Sequence, residues 1–488
     1  MLPPTLTRLV PRPLVLLMGL AVAGTAEAAD LWTVARDALD NNASLAAARS
    51  GFSAVEASND VVRGALLPQL SLSGEISHRR EYSSPSSSSG GAAEAITSSQ
   101  SEAGQSGDDN FTTGSLGFEA NQSIYNAVSN ARVEEAESRI DQELLSLLVA
   151  EQELLFNVSE AYFEILRAHD ILSARRSQET AIERQLEQAR ERFEVGLIAI
   201  TEVHEAQASF DLARAQRIAA ESAMQVSFEA LERLTGKRYE SIDVLAEEIP
   251  VVPPEPVDRG DWVELAMANS PVLKSSEAGV EVVRKSLGVS RAERLPTVGA
   301  YARYTLSDDD RSNVSGHGSN SEIGLSVNLD LYTGGSTQAQ IRQSSFQLEA
   351  AQYDFEDQRR DTVQQVRSLF TRVTNDVETV EARAQAIVSN QSALEATRSG
   401  YEVGTRNIVD VLNAERNLFN AIADHAEARY DYVLGLLRLQ QQAGVLDAES
   451  VQAVNAWLRS EGAVSLELPR AGNDDPVMNI GARPQSPS

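Results

Sequence analysis

Two hydrophobic periods follow one another along the chain, and the succession occurs twice. Over 296–307 and 321–332 apolar residues fall at every second position: Val298, Ala300, Ala302, Tyr304 and Leu306, then Ile323, Leu325, Val327, Leu329 and Leu331. Gly324, Ser326, Asn328 and Asp330 occupy the alternate positions. A period of two predicts strands with one apolar face. Leu70, Leu72 and Ile76, then Leu116, Phe118 and Ala120, mark fainter strands over 69–80 and 112–124. After each pair the spacing changes to three and four: Ile140, Leu144, Leu147, Leu154, Val158, Ile165, Leu172, Ile182, Leu186 and Phe193 in the first case, Val366, Phe370, Val373, Val377, Val380 and Ile387 in the second. A heptad seam kept for so many turns predicts a long helix supercoiled left-handedly on a partner. Over 128–194 such a helix runs about 100 Å, at roughly 1.5 Å per residue. Partner helices follow directly, giving hairpins over 128–235 and 336–442 with tips at 195–201 and 403–409.

The two successions are copies. Asn41, Leu45, Gly51, Arg63 and Pro68 match Asn269, Leu273, Gly279, Arg291 and Pro296 at one offset. Gly117, Tyr125 and Phe163 then match Gly324, Tyr332 and Phe370 at a shorter one, and Phe193-Glu194-Val195-Gly196 matches Tyr401-Glu402-Val403-Gly404. The offset shortens because the first copy carries a Ser/Gly/acid-rich insertion over 83–110 where the second has only 307–320. Neither segment has a period, so both read as solvated loops. Each copy therefore reads helix, strand, strand, long helix, helix; the opening helices (30–66 and 261–294) end at Pro68 and Pro296. The repeats span 29–236 and 261–444, joined by a proline-rich linker over 237–260. After them, 445–488 is expected to begin as an equatorial segment and to become disordered from about Glu461.

Residues 1–28 have the form of a secretory signal peptide: Arg8 and Arg12, a short apolar run from Leu14 to Val22, then Ala26-Glu27-Ala28. No later run approaches the roughly 20 apolar residues of a membrane helix. Entry into a bilayer is therefore open only to strands in a closed barrel. Ten-residue alternating segments suit a barrel, but four strands cannot close one, since about eight is the minimum, so a barrel requires several copies. Two hairpins on a soluble core fit the alternation alone equally well. Net charge is −29, or −30 once the +1 of Arg8, Arg12 and Glu27 is removed, which argues against nucleic acid and for cationic solutes if the chain lines a pore. With no cysteine, five scattered histidines and no nucleophile elbow or phosphate loop, neither metal, cofactor nor enzymatic activity is expected.

The tips read Arg192-Phe-Glu-Val-Gly-Leu-Ile-Ala-Ile-Thr201-Glu202 and Gly400-Tyr401-Glu-Val-Gly404-Thr-Arg406-Asn-Ile-Val-Asp410-Val-Leu-Asn413. These motifs, with the duplicated element order over 30–444, resemble the outer-membrane efflux protein family. The resemblance implies a homotrimer whose twelve strands close one barrel in outer-membrane lipid, above a coiled-coil helical barrel in the periplasm. It implies a passive exit channel for drugs or secreted proteins, met at its tip by a periplasmic adaptor serving an inner-membrane RND, ABC or MFS transporter. By the same resemblance Val195, Gly196, Leu197, Val403, Gly404 and Thr405 form adaptor-docking turns. Tyr401 and Arg406 are gate latches towards Thr201 and Glu202 of a neighbouring hairpin, and Asp410 supplies a selectivity ring. Glu202 and Asn413 stand where the family pattern has aspartates, which alters the reach of the latch and leaves one acidic ring rather than two.

Local helix chemistry offers a plainer reading of the same residues. Thr201 serves as an N-cap with Glu202 in the first turn, Asn407 and Asp410 as a capping pair, Arg406 and Asp410 as an i,i+4 pair, and Gly196 and Gly404 as left-handed C-terminal caps. A cap explains neither Tyr401 nor Arg406. Two rival functions use the same heptads: a periplasmic adaptor, which has one hairpin and an anchor rather than two hairpins on strand pairs, and a structural coiled coil without a pore, which leaves the strands unexplained.

Overall fold

The computed structural model describes residues 28–81, 109–309 and 316–465. The leader up to residue 27, the insertion over 82–108 and the tail beyond Ser465 lie outside them. The first copy runs α1 (Leu31–Asn41), α2 (Ala43–Gly64), β1 (Gln69–Glu81), β2 (Asp109–Asn126), α3 (Ala127–Glu194) and α4 (Ile200–Thr235). After β3 (Ser241–Leu245) the second runs α5 (Arg259–Asn269), α6 (Pro271–Ala292), β4 (Thr297–Asp309), β5 (Gly316–Asn328), α7 (Ser336–Glu402) and α8 (Ile408–Gln442). Helix α9 (Ala448–Asn455) and strand β6 (Leu458–Ser465) follow.

The opening helix of each copy, read from sequence as continuous, is broken. Asn42 leaves the helical conformation, accepts from the Leu45 amide and donates to the Leu234 carbonyl (2.8 Å), so it caps α2 while tying it to α4. In the second copy the break is at Ser270, because Pro271 disfavours a helical residue before it and itself suits the first helical position.

The strands form one antiparallel sheet in the order β1-β2-β4-β5. Its register sorts the side chains cleanly. Leu72 pairs with Phe118 and Phe118 with Tyr304; Leu116 pairs with Leu306; Ala302 with Ile323 and Ala300 with Leu325. Paired residues share a face, so these residues make one apolar surface, and it is open: Ile323 is 88 % exposed and Ile76 86 %. The opposite face carries Glu119, bridged to Arg303 at 3.1 Å, and Tyr301, donating to Glu322 at 2.8 Å. β1 and β5 are edges without a neighbour among the described residues. The strands reach further into the polar segments than their side-chain pattern implies: β2 starts at Asp109, and β4 and β5 take up most of 307–320. β5 ends at Asn328, four residues before the alternation stops. A main-chain ladder is indifferent to side-chain polarity, so composition marks loop boundaries poorly there.

β2 passes directly into α3, with Asn126 closing the strand and capping the helix through the Ser129 amide. The 68 residues of α3 and 67 of α7 pack against α4 and α8 respectively, and α3 also lies against α8. The seam is buried at Leu154, Val158, Ile165, Leu172, Ile182 and Leu186, and at Val366, Val373 and Val380. Its end nearest the sheet is open, with Leu144 exposed. Among the described residues no helix is long and apolar enough to cross a membrane.

The largest core lies midway along the helices, where α1, α9 and a two-stranded sheet of β3 and β6 are laid over α3 and α8. β6 continues to Ser465, past Glu461, where the polar composition had suggested disorder; pairing with β3 orders it. Tyr162 of α3 is fully buried there and donates to the carbonyls of Asp243 (2.9 Å) and Ala29 (3.2 Å). Burial, with Asp243 and Asp30 nearby, pushes its phenol well above the ordinary range, so it stays a donor. Tyr162→Phe leaves both carbonyls short of that donor and is expected to cost about 1–3 kcal/mol. Thermal unfolding checks this; an unchanged midpoint would mean that the phenol adds nothing to this junction.

Candidate gate and docking site at the hairpin tips

Both hairpins turn by the same backbone device. Helix α3 ends at Glu194, and Gly196 adopts φ 73°. The Gly196 amide donates to the Phe193 carbonyl and the Leu197 amide to that of Arg192. Gly404 repeats it at φ 78°, with bonds from Gly404 to Tyr401 and from Thr405 to Gly400. This paired arrangement satisfies the last carbonyls of a helix and needs a left-handed residue, which glycine adopts without a Cβ clash. A Cβ at either glycine would meet nothing within 4 Å, so only backbone conformation demands glycine there. The surrounding surface is open. Val195 is 70 % exposed, Leu197 74 % and Val403 75 %, an apolar rim on two otherwise charged hairpins.

The returning helices start differently. In the second hairpin Asn407 accepts from the Asp410 amide at 2.9 Å and the Asp410 carboxylate accepts from the Asn407 amide at 3.4 Å, a reciprocal capping box. In the first, Ala199 is the N-cap and makes no side-chain cap bond; Thr201 lies inside α4, not at its start. Ala199 already holds the extended conformation that ends the turn, which places the N-cap two residues before Thr201 and corrects the capping role read for it. Glu202 remains a first-turn acid, half-buried.

The structure brings together only some of the tip residues. Arg406 is exposed and stands 3.9 Å from Asp410, a loose contact. Its backbone amide and the Thr405 amide and hydroxyl all donate to the Gly400 carbonyl. Among the described residues no hydrogen bond or ion pair joins Tyr401 or Arg406 to Thr201 or Glu202 within the chain. The Tyr401 ring packs between two apolar clusters formed by Ile182 and Leu186 of α3, Ala206 of α4, and Ile408, Leu412 and Leu394 of α8 and α7. The Arg192 guanidinium lies over that ring, 4.8 Å from its centroid. The Tyr401 hydroxyl is buried without a hydrogen-bond partner. A third group, not singled out in sequence, sits two turns further in: Glu415 of α8 is fully buried and accepts from Arg398 of α7 (2.7 Å) and Gln185 of α3 (3.2 Å). No sequence signal distinguishes it from the many solvated acids on these helices. Arg192 was visible in the tip motif, but its ring partner is 209 positions away in sequence.

The sequence model of the Outer membrane efflux protein family matches residues 34–237 and again 262–445, one match per copy. The chain belongs to that family. It is 34 % identical over 436 residues to outer membrane protein TolC of Vibrio cholerae, covering 88 % of this chain and 93 % of that one. It is 33 % identical over 308 residues to the alkaline protease secretion protein AprF of Pseudomonas aeruginosa, covering 62 % and 64 %. In fold it is similar to the CmeC outer membrane channel of Campylobacter jejuni, with a TM-score of 0.69 at 16 % identity, over 88 % of this chain and 90 % of that one.

Each tip turn is held by its own backbone and capping bonds, so its local stability can be tested apart from that of the helices. Gly404→Ala should destabilise the second tip by about 1–2 kcal/mol through the left-handed backbone alone, and Asn407→Ala by about 1 kcal/mol through the lost cap. Hydrogen exchange at Ile408 to Asp410 should accelerate in both variants while the middle of α8 stays protected. Unchanged exchange would show the turn to be held by something other than its caps.

Proposed function

We propose that three copies of this chain close a twelve-stranded barrel in the outer membrane and continue as a helical tunnel in the periplasm. The assembly is a passive exit channel for efflux and type I secretion, and it carries out no chemical reaction. The observation that carries the reading is the open sheet with its exposed apolar face and two free edges. In lipid each unpaired backbone group is costly, so edges of several copies must pair. The polar face, with Glu119, Arg303 and Glu322, then lines the lumen. An inner-membrane transporter of the RND, ABC or MFS class supplies the energy, as befits a chain similar to both TolC and a protease secretion protein.

At the tip, Val195, Gly196, Leu197 and Val403, Gly404, Thr405 dock a periplasmic adaptor through their exposed apolar rim. Tyr401 and Arg406 latch the closed state onto Thr201 and Glu202 of a neighbouring hairpin. Two features support this: Tyr401 has a buried hydroxyl still lacking a partner, and Arg406 is held only loosely by Asp410. A partner brought to it by a shift of the neighbouring hairpin would recover about 1–3 kcal/mol at such a hydroxyl. Asp410, in three copies, forms one ring of carboxylates that favours cations.

In a planar bilayer the purified mature protein should form small, cation-preferring channels. Arg406→Ala should raise the open population about tenfold, the equivalent of one charged hydrogen bond, and Asp410→Asn should weaken cation preference without enlarging the pore. Conductance unchanged by Arg406→Ala would remove the latch, and no conductance from folded protein would favour a structural coiled coil.

A further inference from the structure

We propose that Glu415 is a gate-positioning residue: its buried carboxylate, shared by Arg398 and Gln185, fastens the returning helix of the second hairpin to the long helices of both hairpins. The inference rests on the reading of the tips as a gate. Three elements meet at one atom. Glu415 Oε1 accepts from Arg398 Nη2 of α7 at 2.7 Å and from Gln185 Nε2 of α3 at 3.2 Å, while Oε2 is buried with no partner. The residue is 0 % exposed and Arg398 is 44 % exposed. Apolar packing surrounds the site, with Ile182 and Leu186 on one side and Val411 and Leu418 on the other.

Other acids of α8 behave differently. Asp424 pairs with Arg383, and Asp431 with Arg167, through carboxylates that remain roughly half exposed. Such pairs are screened and contribute little. A buried carboxylate is different, because separating it from its cation leaves a desolvated charge. Motion that carries α7 and α8 away from α3 breaks the hydrogen bond between Gln185 and Glu415, while Arg398 travels with Glu415. Removing Glu415 loses that bond to α3, and removing Arg398 leaves the carboxylate desolvated and unpaired in the closed packing until opening admits water. Arg398 precedes Tyr401 by less than one turn and lies beside Gly400, whose carbonyl holds the Thr405 and Arg406 amides. The buried node and the latch turn thus move as one piece, and Glu415 sets where that piece rests when the tip is closed.

The test uses the full mature protein in planar bilayers, with Arg406→Ala as reference. Glu415→Ala and Arg398→Ala should each raise the open population about tenfold. Their double variant should gain little over either, as expected of one shared interaction. A purely structural role would lower the unfolding temperature and leave conductance alone. Because the chain has no cysteine, Gln185→Cys with Glu415→Cys can be bridged by a short thiol-reactive cross-linker, which covers the case of a poorly folding alanine variant. Bridging should suppress the opening caused by Arg406→Ala, and a reductively cleavable linker should restore it on cleavage. If Arg406→Ala opens the channel while Glu415→Ala and Arg398→Ala do not, or if the bridged channel opens as readily as the unbridged one, the node is packing and the proposal is wrong. If Arg406→Ala itself has no effect, the gate reading fails and the positioning role goes with it.

Discussion

An antiparallel sheet of four strands has two edges, and hydrocarbon offers no hydrogen bonds to the amides and carbonyls along them. The described sheet, β1-β2-β4-β5, has this incompleteness together with an apolar face turned outward across all four strands. In water the arrangement would invite uncontrolled edge pairing. The proposed closure against further copies would remove the edges and give the apolar face lipid to meet. The direction of the strands then passes to the helices without slack on one side, because Asn126 ends β2 and caps α3 in a single residue. On the proposed closure the helical tunnel would inherit its geometry from the barrel. The packing of α3 on α4 and α8, rather than the tips, carries its stability.

The tips are held by smaller, local terms. The helices there stop in two-bond glycine turns with open space around them, and the apolar side chains beyond are exposed. Caps, loose ion pairs and a ring under a guanidinium each contribute on the order of 1 kcal/mol. Such terms are small against the cohesion of the long hairpins but suited to an equilibrium that a docking partner shifts. The buried Glu415 stands apart as an acid held by two other helices, two turns inside the tip.

Much of this was legible in the sequence, for identifiable reasons. Period-two alternation at Ile323, Leu325 and Val327 and the heptad seams in α3 and α7 are repeated local patterns, and the repetition itself located the copies. Gly196 and Gly404 occupy the left-handed positions their context implied, and Asn407 with Asp410 forms the capping box read from spacing. Of the two breaks, the one at Asn42 depends on a side chain that bonds to Leu234, far along the chain, while the one at Ser270 was readable from Pro271. The pairing of β3 with β6 joins Ser241 to Ser465 and leaves no local trace. Thr201 was misplaced because a good capping residue stood near the start of a helix that Ala199 begins without a side-chain bond. Glu415 shows the general limit: burial of an acid depends on which helices meet there, and one helix's pattern does not contain that.

The most direct measurement is the mass of the purified mature protein in detergent, by native mass spectrometry with detergent removed in the gas phase. A single species of three chains, with no ladder of larger assemblies, is the result expected if the edges of the open sheet close on copies of themselves. A folded, helical monomer, or an open-ended series of oligomers, would contradict closure and with it the channel.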